Sequence, residues 1–208
     1  HSNAQCLLGI IYYEGKYVSR DVNKSIHYLA LSSNQNNLNA QFHLGVIYYL
    51  GEYISRDINK SIHYFTLSSN KNHSVAQYFL GFIYYSGEYV SRDVNKTVHY
   101  LTLSSNKNNS NAQCFLGYIY YLGKYFPRDI NKSIHYLTLS ANQNNLYAQC
   151  LLGEIYYDGK LIEKNIKKSI HYFKESSSFY NSVAKNYLGI IYKNGDGVDK
   201  NIYFAKIY

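Results

Sequence analysis

The sequence predicts an all-α fold, a solenoid of helical hairpins stacked in 36-residue units. Three observations predict it. The first is a period that runs the length of the chain: Ala4, Ala40, Ala76, Ala112, Ala148 and Ala184 recur 36 residues apart, and so do Leu8-Gly9, Leu44-Gly45, Leu80-Gly81 and their later counterparts. A fixed period of this size marks a stacked-repeat architecture. The second is apolar spacing of about 3.6 residues inside each unit, closed by Gly15, Gly51, Gly87, Gly123, Gly159 or Gly195. The third is energetic. A lone hairpin with apolar residues on both faces cannot bury them, so stability has to come from stacking against neighbours.

The second unit shows how each element arises. Helix A is expected over 39–50, with Ala40, Leu44, Ile47 and Tyr48 on one face and Asn39, Phe42, Val46 and Tyr49 on the other. Gly45 removes a side chain where another helix must come close, at a cost of about 1 kcal/mol relative to Ala in a helix. Gly51 suits a left-handed C-terminal cap. After the connection 52–56, Asp57 is an N-cap whose carboxylate can accept backbone N–H groups. Helix B is expected over 58–69, with Ile58, Ser61, Ile62, Tyr64, Phe65, Ser68 and Ser69 inward. The small serines allow close packing, and their hydroxyls can bond the carbonyl four residues back. Asn72 closes the unit because Asn tolerates the left-handed conformation of a helix exit. Units at 3–38, 39–74, 75–110, 111–146 and 147–182, with an incomplete one at 183–208, make a single array over 1–208.

Composition narrows the class. Of 208 residues, 46% are hydrophobic, which supplies a continuous core, and 27 are Tyr while Met and Trp are absent. Without an initiator Met, and starting at the threshold of a unit, the chain reads as an excised fragment. The net charge of +8 is spread without a basic tail, as on a solvated surface. Cys6, Cys114 and Cys150 share one repeat position, so the nearest two lie about 8–10 Å apart on neighbouring packed helices. That exceeds the roughly 7 Å between Cα atoms that a disulfide allows. Free thiols fit a reducing compartment, and a cytoplasmic location is expected. No apolar run approaches membrane-spanning length. The sequons beginning at Asn23, Asn59, Asn95 and Asn131 fall at a predicted helix start, where they reflect composition more than glycosylation.

The pattern Ala40…Leu44-Gly45…Tyr48…Gly51…Ile54…Asp57…Lys60-Ser61…Tyr64…Ser68-Ser69 resembles the Sel1-like repeat, a relative of the tetratricopeptide repeat, across five units and most of a sixth. There are departures. The family's Gly-x-Gly-Val in the A–B loop survives only as Gly195-Asp196-Gly197-Val198, and Tyr17, Tyr53, Tyr89, Tyr125 or Leu161 stand at the second Gly elsewhere. Its Ala-Ala near the end of helix B is Ser-Ser in most units, and its following Gly is Asn36, Asn72, Asn108 and Asn144. The resemblance implies a right-handed, tetratricopeptide-like superhelix serving as an adaptor or scaffold, in some members attached to a catalytic domain such as a kinase.

Against that background the titratable residues offer little chemistry. His27, His63, His99, His135 and His171 form a series, but equivalent positions on stacked units lie about 8–10 Å apart. Donors to one metal ion need to sit about 2 Å from it, so no metal is expected there. Their place on the outward face of helix B makes them solvated surface residues. An active site needs one unique constellation, whereas the polar residues here are repeated. The non-repeated His43, His73, Glu154 and Asp158 show no nucleophile–base–orienter spacing, so no catalysis and no cofactor are expected. Arg20, Arg56, Arg92 and Arg128 each precede the N-cap Asp and are expected to pair with it locally.

Helix A carries the contrast that matters. Its buried face hardly changes between units, but the opposite stripe does: Asn39, Phe42, Val46, Tyr49; then Val75, Tyr78, Phe82, Tyr85; then Asn111, Cys114, Tyr118, Tyr121; then Tyr147, Cys150, Glu154, Tyr157. In related superhelices helix A lines the concave groove, and aromatic residues anchor partners there because they bury much area for few lost rotamers. The expected partner is a protein or peptide. Part of the stripe could instead pack helix A on the next helix A, and the series Tyr13, Tyr49, Tyr85, Tyr121 and Tyr157 fits such a ladder equally well. Two other readings stand beside this one: nucleic-acid or anionic-surface binding by the basic, Tyr-rich exterior, and a regulatory segment of an enzyme. Self-association through the incomplete sixth unit is a further expectation, with Ile202, Ala205 and Tyr208 turned inward but unshielded.

Overall fold

The computed structural model describes residues 1–177 and 182–208. The expected end of the fifth unit, at 178–181, therefore lies outside the described residues. These form two compact units. In the first, His1–Lys107, α1 (Ser2–Glu14) pairs with α2 (Val22–Asn34), α3 (Leu38–Leu50) with α4 (Ile58–Ser69), and α5 (Ser74–Ser86) with α6 (Val94–Ser105). In the second, Asn108–Tyr208, the hairpins are α7 (Ser110–Leu122) with α8 (Ile130–Ala141), α9 (Leu146–Asp158) with α10 (Ile166–Ser177), and α11 (Ser182–Asn194) with α12 (Ile202–Ile207). Within each unit the second helix of a hairpin also packs on the first helix of the next, as α2 does on α3 and α8 on α9. First helices touch one another too, α1 with α3, α7 with α9 and α9 with α11. This is a helical-hairpin solenoid with no strand among the described residues.

Local chemistry accounts for the hairpins. Asp21, Asp57, Asp93 and Asp129 N-cap the second helices, each accepting the N–H of a Lys three residues on at 2.9 Å. Gly51 closes α3 at φ 63°, donating its N–H to the Ile47 carbonyl. Asn36, Asn72, Asn108 and Asn144 sit at φ between 58° and 64°, the left-handed turn that closes a hairpin. Gly197 reaches φ 64°, but none of the residues replacing that second Gly, such as Tyr53, enters the left-handed region. Their loops therefore follow a different backbone path from 195–198.

Packing is repeated to within tenths of an ångström. Ala40, Leu44 and Ile47 are buried, and Tyr48 lies flat on Tyr64 with ring centroids 5.9 Å apart. The pairs Tyr12–Tyr28, Tyr84–Tyr100, Tyr120–Tyr136 and Tyr156–Tyr172 repeat that stack at 5.8–6.0 Å. Gly45 sits hard against Phe65, where a Cβ would meet the ring at 2.5 Å.

Two expectations need correcting. The helix-B hydroxyls do not, in general, bond four residues back. Ser61 Oγ donates to the Gly45 carbonyl at 2.9 Å and Ser133 Oγ to that of Gly117 at 2.8 Å. Ser32, Ser68, Ser104, Ser140 and Ser176 reach the first residue or so of their partner helix A at 2.7–2.9 Å. Thr97 does make the four-back bond, to the Asp93 carbonyl. With no side chain at Gly45, its carbonyl is open to the facing helix, although the counterparts Ser25 and Ser169, which face Gly9 and Gly153, have no protein partner. Nor do the arginines pair with the neighbouring Asp. Asp21 binds Lys24 instead, at 3.4 Å, while Arg20 reaches Tyr53 of the next hairpin, lying over its ring at 4.5 Å and donating to its hydroxyl. Arg56 makes the same contact with Tyr89.

Candidate binding surface

The variable stripe of helix A divides into residues that pack and residues that stay open. In the first unit Phe42 stacks on His73, with centroids 4.6 Å apart, and tilts against Phe65 and Phe79. Val46 and Tyr49 lie against the core of Phe65, Ala76, Leu80 and Ile83, with Tyr49 edge-on to Phe79 at 5.6 Å. These three residues therefore join one hairpin to the next. Asn39 and Val75 are exposed, while Tyr78, Phe82 and Tyr85 are half-buried.

The second unit repeats the division. Tyr121 packs against the cluster around Leu137 and Leu152, and Tyr157 stands edge-on to Tyr187 at 5.4 Å while its hydroxyl donates to Asp196 Oδ2. Asn111 is exposed and accepts from Asn145 Nδ2 at 3.2 Å. Tyr118 is 41% exposed and Tyr147 82% exposed. Glu154 is half-buried, and Cys150 Sγ donates to it at 3.9 Å. Burial raises the Glu154 carboxyl above the usual carboxylate range, and the Asp158 charge adds to the effect. Burial also pushes the Cys114 thiol up to about 11.

Sequence reasoning missed a column on the same helix. Leu7, His43, Phe79, Phe115, Leu151 and Tyr187 occupy one repeat position, just beside the stripe. Phe79 stacks on Phe65 at 5.1 Å and Tyr187 on Phe173 at 4.8 Å, so a ring plugs each of these two hairpin-to-hairpin junctions. At the junction of the first two hairpins the corresponding residues are Leu29 and His43, and a cavity of 190 Å³ remains. Ile10, Val46 and Ile47 line it alongside those two, and Tyr13 and Glu14 border it. Burial lowers the His43 pKa, with His73 adding to the shift and Glu14 opposing it. The signal available in the sequence was a change of side-chain size within one column.

Elsewhere, the exposed His27, His63, His99, His135 and His171 each lie against the ring of the following Tyr. No group of three metal-ligating side chains converges among the described residues. The three thiols are free. Among the described residues, no helix is long and apolar enough to cross a membrane.

Comparison with known proteins bears on the fold first. A family model described as Sel1 repeat matches residues 2–37, 38–73, 74–109, 110–145, 146–178 and 182–208. The crystal structure of a protective antigen of uropathogenic Escherichia coli with an SLR fold superposes with a TM-score of 0.94 at 23% identity. All of this chain is covered in that superposition, but it spans only 44% of the E. coli protein. A Sel1 repeat protein from Oxalobacter formigenes superposes with a TM-score of 0.87 at 27% identity, covering all of this chain and 85% of the other. An immunity protein from Pseudomonas aeruginosa aligns over 98% of this chain and 75% of its own, with a TM-score of 0.57 at 16% identity. No curated protein sequence matches.

Proposed function

Because the chain belongs to the Sel1 repeat family, whose members generally serve as protein-interaction scaffolds, we propose that it is a non-catalytic scaffold or adaptor that binds a protein or peptide along the open part of its helix-A stripe. One observation carries the reading. Tyr118 and Tyr147 present aromatic surface to solvent at positions that change from hairpin to hairpin, whereas the buried-face positions of Ala40, Leu44 and Ile47 keep the same residue throughout. An aromatic residue held on a rigid helix and open to solvent is the usual anchor of a peptide interface.

The basic exterior favours this reading over nucleic-acid binding. Lys24, Lys60, Lys96 and Lys132 are each paired with an N-cap Asp at 3.4–3.6 Å and lie over a Tyr ring, and Arg20 and Arg56 are held by Tyr53 and Tyr89. Cations occupied in this way are poorly placed to exchange counterions with a phosphate backbone. The test is to select 12-residue peptides from a random library and measure their affinity for the protein and for Phe82→Ala and Tyr118→Ala. At least a tenfold loss in Tyr118→Ala, with binding that changes little between 50 and 500 mM NaCl, is expected. Steep salt dependence with no effect of either substitution would transfer the function to the basic exterior.

A further inference from the structure

The cavity between α1, α2 and α3 shows what fits it by comparison with the rest of the chain. At the next junction, the place corresponding to His43 holds Phe79, whose ring contacts Phe42, Tyr49 and Phe65 at 5.1–6.1 Å between centroids. At the junction of α9, α10 and α11 it holds Tyr187, against Tyr157 and Phe173. The walls of the cavity are the counterparts of those residues: Tyr13 for Tyr49 and Tyr157, Leu29 for Phe65 and Phe173, Ile10 for Val46. The same backbone scaffold thus holds a stacked pair of rings twice, Phe79 on Phe65 and Tyr187 on Phe173, and once holds Leu29 and the His43 imidazole with a void beside them.

From this we infer that the cavity is a receptor for one aromatic side chain, Tyr or Phe, carried by a bound peptide. Its volume of 190 Å³ is in the range that takes a single six-membered ring, since an apolar cavity of about 150 Å³ holds benzene. Ile10, Leu29, Val46 and Ile47 present apolar walls to the ring faces, while Glu14 and the His43 imidazole supply polar atoms for a phenol hydroxyl. Val46 is one of the stripe residues that join hairpins, so the cavity adjoins the stripe from its packed side. The inference rests on the peptide-binding reading and deepens it, assigning the first hairpin junction as the place where an aromatic anchor enters.

The probe is p-cresol, the tyrosine side chain as a free molecule, titrated to millimolar concentration into the whole chain with its methyl groups followed by NMR. Shifts confined to Ile10, Leu29, Val46 and Ile47, and weakened at least tenfold in His43→Phe, are expected. His43→Phe copies Phe79, so the fold already accommodates the ring; Val46→Phe, copying Phe82, fills the space from a second position and should act alike. No shift at these methyls overturns the inference, as do shifts scattered over the chain or shifts unchanged in both filled variants. The broader reading is separable. If p-cresol binds as described but Tyr118→Ala and Phe82→Ala leave peptide affinity unchanged, the cavity stands and the extended stripe does not. If those two variants lose the peptide while p-cresol is silent, only the cavity fails.

Discussion

At the scale of single residues, the chain repeats its chemistry so closely that each exception can be read against its own counterparts. Gln35 donates to Gln5 and Gln143 to Gln113, at 2.5 and 2.7 Å. In the second and third hairpins the donor is replaced by Lys71 and Lys107, and the buried Oε1 atoms of Gln41 and Gln77 have no protein partner. His43 and His73 are similar exceptions, standing where other hairpins carry Leu151 and Asn145. Burial depresses both imidazoles below their ordinary pKa of 6.5. A depressed value means that the unfolded chain takes up protons first as the pH falls, so stability present above pH 6.5 is lost on descending through the folded values. Thermal unfolding at pH 7.5 and at pH 5 should therefore differ, and the double variant His43→Leu, His73→Asn should flatten the difference. A slope unchanged in that variant would place the acid sensitivity elsewhere. The N-cap carboxylates Asp21, Asp57 and Asp129 are held below 3.8 by backbone N–H donors, so their contribution is lost only at lower pH, outside this window.

At the scale of helices, most of the architecture was legible. Helix A of the second hairpin was expected over 39–50 and is Leu38–Leu50; helix B, expected over 58–69, is Ile58–Ser69. Periodicity and caps are local signals, and local signals survive in a sequence. What could not be read is pairing across the hairpin: the serine hydroxyls bond a facing helix 16 or 30 residues away, and Arg20 finds Tyr53 across 33. For the same reason the sequence offered a packing role for part of the stripe but could not assign it to Phe42 and Val46, since a helical wheel assigns a face without saying what covers it. The close glycine contact is a point where element packing can be tested. In Gly45→Ala the new methyl would meet the buried Phe65 ring at 2.5 Å, and overpacking should outweigh the gain in helix propensity, leaving a net loss of about 1–2 kcal/mol. At Gly189 the nearest atom, the Ala205 carbonyl oxygen, is 3.4 Å away. Gly189→Ala should therefore be neutral or stabilising by up to about 1 kcal/mol. Chemical denaturation of the two variants side by side checks both the sign and the contrast.

At the scale of the whole chain, cooperativity comes from neighbours, and burial follows the neighbours each hairpin has. Leu44 and Leu80 are fully buried, whereas their counterpart Leu8 is 40% exposed. In α12 Ile202 is 49% exposed, as an unshielded residue would be. Tyr208 stacks on Tyr192 at 6.1 Å, and Phe204 tilts against the same ring. The six-residue α12 contains no buried residue and should open locally before the rest of its unit. Amide exchange in dilute protein should run faster over 202–208 than in α9 and α10, and protection equal to theirs would contradict this.

The serine-to-carbonyl bonds have one more consequence, and it concerns the gene. Ser68 with Leu38, and Ser61 with Gly45, both fall between one left-handed Asn turn and the next. A crossover between misaligned copies at Asn36 and Asn72 would excise or duplicate one full hairpin and leave every such donor with its acceptor. The protein can therefore change length in steps of 36 codons without orphaning a buried hydroxyl, and point substitution is left free to vary the aromatic residues that face outward.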